Sequence, residues 1–196
     1  MRNGAFLRAA FLAIGVSTWQ VGACQLKYVA DKAVLDTVVV SDTIQSAVLY
    51  ERAREWMLRN LKASDNQVSL EDDSKTRLIG TANLLLPGKK GPDKSIHTDR
   101  VLNFKLSIFL REGRYRVVAE NIVYSYRFVR GTADLPIRNT AEELFIYLRT
   151  TEEKGRPKAI EAAREPIAEL NAAISVMLQS LQNSMIGERD LHNGDW

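Results

Sequence analysis

Along this chain the spacing of apolar residues switches between about 3.6 and 2, and each switch marks an element. The β-branched run from Val34 to Val40 reads as a strand, stopped by Ser41 and Asp42. Ile44, Leu49, Tyr50, Ala53, Trp56, Met57 and Leu61 then recur at helical spacing. Asp42 with Gln45 is the capping box predicted to open that helix, and its stripe is read as core. From Asn66 the period becomes two, giving two strands joined by an acidic turn at Asp72 to Ser74. The Pro-, Gly- and Lys-rich stretch PGKKGPDKSIHTD reads as a loop. Beyond it Leu102, Phe104, Leu106, Ile108 and Leu110 point one way, and Asn103, Lys105, Ser107, Phe109 and Arg111 the other. The turn REG leads into RYRVVAENIVYSYRFV, its antiparallel partner. There the parity is mixed: Arg114, Arg116 and Glu120 fall on the side of Ile122, Tyr124 and Tyr126. A bulge or a partly covered second face explains this equally well.

Past Gly131 the pattern turns helical again, with a capping box of Thr140 and Glu143. A longer helix is predicted from Pro157 to Met185, kinked or restarted at Pro166, with a stripe of Ile167, Leu170, Ile174, Met177, Leu181 and Met185. The expected architecture is α+β: strand, helix, four antiparallel strands, helix, in one sheet with the helices packed on one face. The expected organisation is a signal peptide over 1–23, a tether over 24–33, a core over 34–130, C-terminal helices over 131–186 and a polar tail over 187–196.

The N-terminus sets the compartment. MRNGAFLRAAFLAIGVSTWQVGAC carries Arg2 and Arg8, no acidic residue, and an apolar run ending in Gly22 and Ala23. That is the layout of a secretory signal, and it falls short of the roughly 20 apolar residues of a membrane span. VGAC resembles a lipobox, which makes Cys24 the lipid attachment point; cleavage by ordinary signal peptidase after Ala23 is the competing reading. As the only cysteine, Cys24 has no internal disulfide partner, and in an oxidising compartment an anchor accounts for it better than a spare thiol.

Charge narrows the function class further. Removing residues 1–23 takes two arginines away, so 27 basic residues become 25 against 24 acidic, without the concentrated basic excess of a nucleic-acid protein. His97 and His192 have no partner at metal spacing, and Glu71, Asp72 and Asp73 lack the glycine and spaced ligands of a calcium loop. No catalytic residue, metal or cofactor is assigned on this basis.

Three stretches stand out on these elements: LYERAREWMLRNL with Tyr50 and Trp56, VSLEDDSKTRLIGTANLLL with Ile79 and Gly80, and FKLSIFLREGRYRVVAENIVY with Gly113, Arg114, Tyr115 and Arg116. Together they resemble a bacterial family known as a domain of unknown function with a TATA-binding-protein-like fold. The resemblance covers residues 34–130, and Glu112 stands where the family often has aspartate. It implies that fold and an exported envelope protein, and no activity; a fold alone does not carry DNA binding with it.

The function expected is a non-catalytic interaction module in the bacterial cell envelope, lipid-anchored and facing the periplasm or cell surface. Its face is assigned to Asn103, Lys105, Ser107, Arg111, Arg114 and Arg116, and its partner is an envelope protein or a second copy of itself. The alternative is a periplasmic binder of a small hydrophobic ligand, held between helix and sheet by Trp56, Tyr124 and Tyr126.

Overall fold

The computed structural model describes residues 25–41, 44–61, 75–91 and 94–187, and the backbone of 68–71. Among the described residues eight strands and three helices follow in the order β1 (Lys27–Val29), β2 (Lys32–Val40), α1 (Ser46–Asn60), β3 (Val68–Glu71), β4 (Arg77–Leu86), β5 (Lys89–Lys90), β6 (Ile96–Arg111), β7 (Arg114–Arg130), β8 (Ala133–Thr140), α2 (Ala141–Glu153) and α3 (Pro157–Ile186). The sheet runs β1-β2-β7-β6-β4-β3, with β5 beside β6 and β8 beside β7. Every pairing is antiparallel.

The fold is built on the β6–β7 hairpin, closed by Glu112 and Gly113, with Gly113 at φ 67° where a side chain would be strained. On β6 the predicted alternation holds: Leu102, Phe104, Leu106, Ile108 and Leu110 are all buried in the core. Each such side chain is worth about 1.5–3 kcal/mol relative to exposure. Above them lie the α1 stripe of Leu49, Tyr50, Ala53, Trp56, Met57 and the following Leu61, and the α3 stripe from Ile167 to Met185. Trp56 donates from Nε1 to Ser180 Oγ at 3.1 Å, tying α1 to α3. Arg52 of α1 donates to the Met185 carbonyl at the C-terminus of α3, where a cation suits the helix dipole. Gly187 closes α3 at φ 82°; a Cβ there would meet Arg52 at 2.9 Å.

The mixed parity of β7 resolves into a bulge. Lys105 pairs with Glu120 and Asn103 with Val123, so three steps on β7 face two on β6, and Asn121 takes the extra place at φ 56°. Tyr115, Val117 and Ala119 face the core before it, Ile122 and Tyr124 after it. A second bulge, on β6 at Asp99 (φ 49°), separates the pairs Thr98–Arg127 and Val101–Ser125.

Four expectations are corrected. The tether over 24–33 is largely structured: β1 pairs with β2, Leu26 is buried, and its N–H donates to Asn171 Oδ1 at 2.8 Å. Residues 133–140 form β8 rather than leading straight into helix, because the far half of β7 has an edge that β2 does not reach. The lysine-rich loop holds β5 and the start of β6, paired as Lys89–His97 and Lys90–Ile96. Pro166 does not restart α3, which is one helix from Pro157 to Ile186. The Thr140–Glu143 capping box of α2 is present. Asp42, expected to cap α1, lies outside the described residues, and so do the turn at 72–74, the signal segment, Cys24 and the tail from 188. The cap that α1 does have comes from the hairpin turn: Glu112 Oε1 accepts from Ser46 Oγ at 2.6 Å and from the Ser46 N–H at 3.2 Å.

Candidate functional site

Since α1, α2 and α3 contribute to one core on one side of the sheet, no helix among the described residues covers the other side, the open face. Alternation decides what stands on it. Arg77 of β4, Phe109 of β6, Arg116 of β7 and Val38 of β2 lie in one row across four strands. Arg111 and Arg114 lie directly opposite each other in the next row, with Val40 beyond. Around the hairpin end they form a hollow of about 510 Å³, lined by Val38, Phe109, Arg111, Arg114 and Arg116.

The electrostatics of this end are one-sided. The Arg77 and Arg116 guanidiniums sit 4.9 and 5.8 Å from the centre of the Phe109 ring, one on each neighbouring strand. Arg116 also grips Asp36 through two parallel bonds of 2.7 and 2.5 Å. That bond holds the Asp36 carboxyl below its usual range against the opposing effect of burial, and raises Arg116. The Arg111 and Arg114 side chains are exposed and make no hydrogen bond or ion pair among the described residues. Like charges facing each other across a strand pair are unfavourable. Val38 and Val40 are 56% and 53% exposed beside them.

All six side chains assigned to the face from sequence lie on it, in two groups. Arg111, Arg114 and Arg116 surround the hollow. Asn103 and Lys105 line a second hollow of about 420 Å³ with Thr81, Asn121 and Arg138. Lys105 is neutralised there by Glu120 at 2.7 Å. Ser107 lies between the groups, 3% exposed beside the buried Ile79, and offers little to a ligand. Sequence reading missed Arg77, Phe109 and Val38 as members. The available signal was Phe109, the one aromatic on the polar side of its strand; only register brings Arg77 and Val38 to it.

The helix side holds one polar cluster. Arg100 follows the core parity of β6 and is 6% exposed. Its Nε donates to Tyr124 Oη at 2.8 Å, and its remaining nitrogens donate to the Pro87 carbonyl at 2.6 Å and Glu169 Oε2 at 2.5 Å. Lys89 joins through Glu165 and Glu169 at 2.5 and 2.9 Å; burial lowers its pKa, the two carboxylates raise it by more, and the net shift is upward. Burial pushes Tyr124 and Tyr126 up. His97 stacks on Tyr126 with ring centres 4.7 Å apart. This cluster ties α3 to the sheet. Trp56 and Tyr124, two of the three residues expected to line a ligand cavity, are hydrogen-bonded to Ser180 and Arg100. Among the described residues no group of three His, Cys, Asp or Glu side chains could hold a metal ion, and no helix is long and apolar enough to cross a membrane.

Comparisons with known proteins agree with this architecture. Residues 36–125 match the family model for a domain of unknown function (DUF4468) with TBP-like fold. A crystal structure of a DUF4468 family protein from Bacteroides ovatus ATCC 8483 superposes with a TM-score of 0.58 at 18% identity, covering 87% of this chain and 94% of that one. A TBP-like protein from Parabacteroides distasonis ATCC 8503 superposes with a TM-score of 0.53 at 12% identity, covering 82% and 98%. At these identities the likeness is one of fold. No curated protein matches the sequence.

Proposed function

We propose that this chain, which carries the DUF4468 domain with its TBP-like fold over residues 36–125, is a non-catalytic interaction module of the bacterial cell envelope. It is exported, held at the membrane by a lipid on Cys24, and meets an envelope protein or a second copy of itself with the open face of its sheet. The observation that carries this reading is the hairpin end of that face. Exposed Val38 and Val40 stand there beside Arg111 and Arg114, whose side chains have no partner among the described residues. Folding gains nothing from such an arrangement, and a docking surface does. The near-neutral mature chain and its export signal argue against nucleic acid as the partner. Nothing in the site supplies a base aligned with a nucleophile, so an enzyme is not proposed.

Photo-crosslinking in the native cell tests this. A crosslinking amino acid at Val38 is expected to give a discrete adduct that the same group at Val176, 70% exposed on the far side of α3, does not. Equal labelling from both positions, or none from Val38, would sink the reading. The mass of the membrane-fraction protein tests the anchor: a chain beginning at Cys24 with added acyl mass is expected, and a Cys24→Ser variant should lose both.

A further inference from the structure

The hairpin hollow also has a chemistry of its own. The Arg77 and Arg116 guanidiniums flank Phe109, Arg111 and Arg114 line the same hollow from the next row, and among the described residues Asp36 is the only carboxylate bonded to any of the four. One carboxylate on the ligand would leave this end still strongly positive. A tetrahedral dianion can accept from two guanidinium forks at once, and the opposed pair Arg111 and Arg114 presents two forks with no competing partner among the described residues. The Phe109 ring and Val38 beside them give an apolar surface for whatever carries the anion. Nothing in the core requires these arginines: they lie past the last buried pair of the hairpin, Leu110 and Tyr115.

We propose that this hollow is a binding site for a phosphoryl group, seated between Arg111 and Arg114 with its apolar carrier against Phe109. Its source is a phosphorylated headgroup or free phosphate. The proposal rests on the reading of the open face as the working surface, and it names the ligand chemistry of one end of it.

The test uses the full chain with Cys24→Ser in zwitterionic detergent micelles, following the arginine Nε–H signals by NMR. Inorganic phosphate is expected to shift Arg111 and Arg114 saturably while leaving Arg127, which is paired with Asp134, in place. Arg111→Gln with Arg114→Gln should weaken phosphate binding at least about tenfold, and Lys at both positions should restore part of it. Binding should fall below about pH 6, where a phosphate monoester becomes a monoanion. Micelles doped with phosphatidic acid separate the sources: a response at lower phosphate content than free phosphate needs points to a headgroup, and a response to free phosphate alone keeps the site with a soluble ligand. The proposal falls if neither moves the two arginines, if acetate moves them as much as phosphate does, or if a single-stranded oligonucleotide binds more tightly than either phosphoryl source. If the phosphate response is missing while the Val38 crosslink persists, the phosphoryl site is wrong and the docking surface stands; if both are missing, both are wrong.

Discussion

Arg100 and the Arg111–Arg114 pair are the same chemical group on opposite faces of one strand hairpin, and their surroundings could hardly differ more. Arg100 is 6% exposed and has Tyr124, Pro87 and Glu169 as acceptors, with Lys89 and Glu165 completing the cluster. Arg111 and Arg114 are exposed, face each other across the hairpin, and have no side-chain acceptor among the described residues. A buried cation must be neutralised for the chain to fold, so the cluster around Arg100 is accounted for by stability alone. An exposed cation is under no such demand, and two placed face to face work mildly against the fold. The covered face thus explains itself, and the open face points to something outside the chain.

This division depends on β7 changing parity at Asn121, so inserting one further residue after Asn121 is expected to have the largest effect of any change considered. With β6 held in place, the inserted residue and Val123 would take the core positions of Ile122 and Tyr124, and Tyr124 could no longer meet Arg100. The cooperative urea transition should disappear. Asn121→Gly, which keeps the residue and suits a φ of 56°, should retain it. An insertion variant with a normal transition would mean that the two faces are not separated by this bulge.

The next effect tests the covered face directly. Glu169→Ala leaves Arg100 buried without its carboxylate and should cost about 2–4 kcal/mol, read as a shift of the urea midpoint at unchanged slope. The double variant Arg100→Met with Glu169→Leu should cost less than Glu169→Ala alone, because it leaves no orphaned charge. If Glu169→Ala costs no more than an exposed ion pair, under about 1 kcal/mol, the contrast between the faces collapses.

How much of this was legible in the sequence depends on whether burial is periodic. The β6 alternation and the stripes of α1 and α3 were readable because each element buries one continuous face. Strand β8, ADLPIRNT, was not: it contains Pro136, is exposed along most of its length, and owes its conformation to the free edge of β7. The bulges at Asp99 and Asn121 use left-handed conformations at non-glycine residues, which no glycine announces. The cap on α1 comes from Glu112, 66 residues away in sequence, and no local motif encodes it. The site divides the same way. Arg111, Arg114 and Arg116 could be put on one face by counting twos, whereas Arg77 and Val38 join Phe109 only through the register of four strands.

Smaller effects come from the carboxylates bordering the open face. The Asp36 pKa is lowered chiefly by its bond to Arg116, so its folded-state value lies below the unfolded one. Its contribution is therefore fully present above about pH 4 and is lost as pH falls through the folded-state pKa. Asp36 is partly exposed, which limits the pair to about 0.2–1 kcal/mol. Asp36→Asn should lower stability at pH 7 by that amount and flatten the acid limb of a stability–pH curve. Glu112, lowered by its bonds to Ser46, has the same sign and window; Glu112→Gln should move the limb in the same direction. An acid limb identical to the parent in both variants would separate these bonds from stability.

The smallest expected effect bears most directly on the contrast between the faces. If Arg111 and Arg114 serve folding, replacing both with glutamine should lower Tm; if they are held for a ligand against mild mutual repulsion, it should raise Tm. The expected rise is about 1 °C in low salt. Salt supplies the control, since repulsion between exposed charges is screened within roughly 10 Å at 0.1 M and almost wholly at 1 M. The gain should therefore shrink as salt is added, whereas a change in hairpin packing would persist. A gain that vanishes with salt, together with loss of the phosphate response, would identify the pair as residues kept at a cost to stability for the sake of binding.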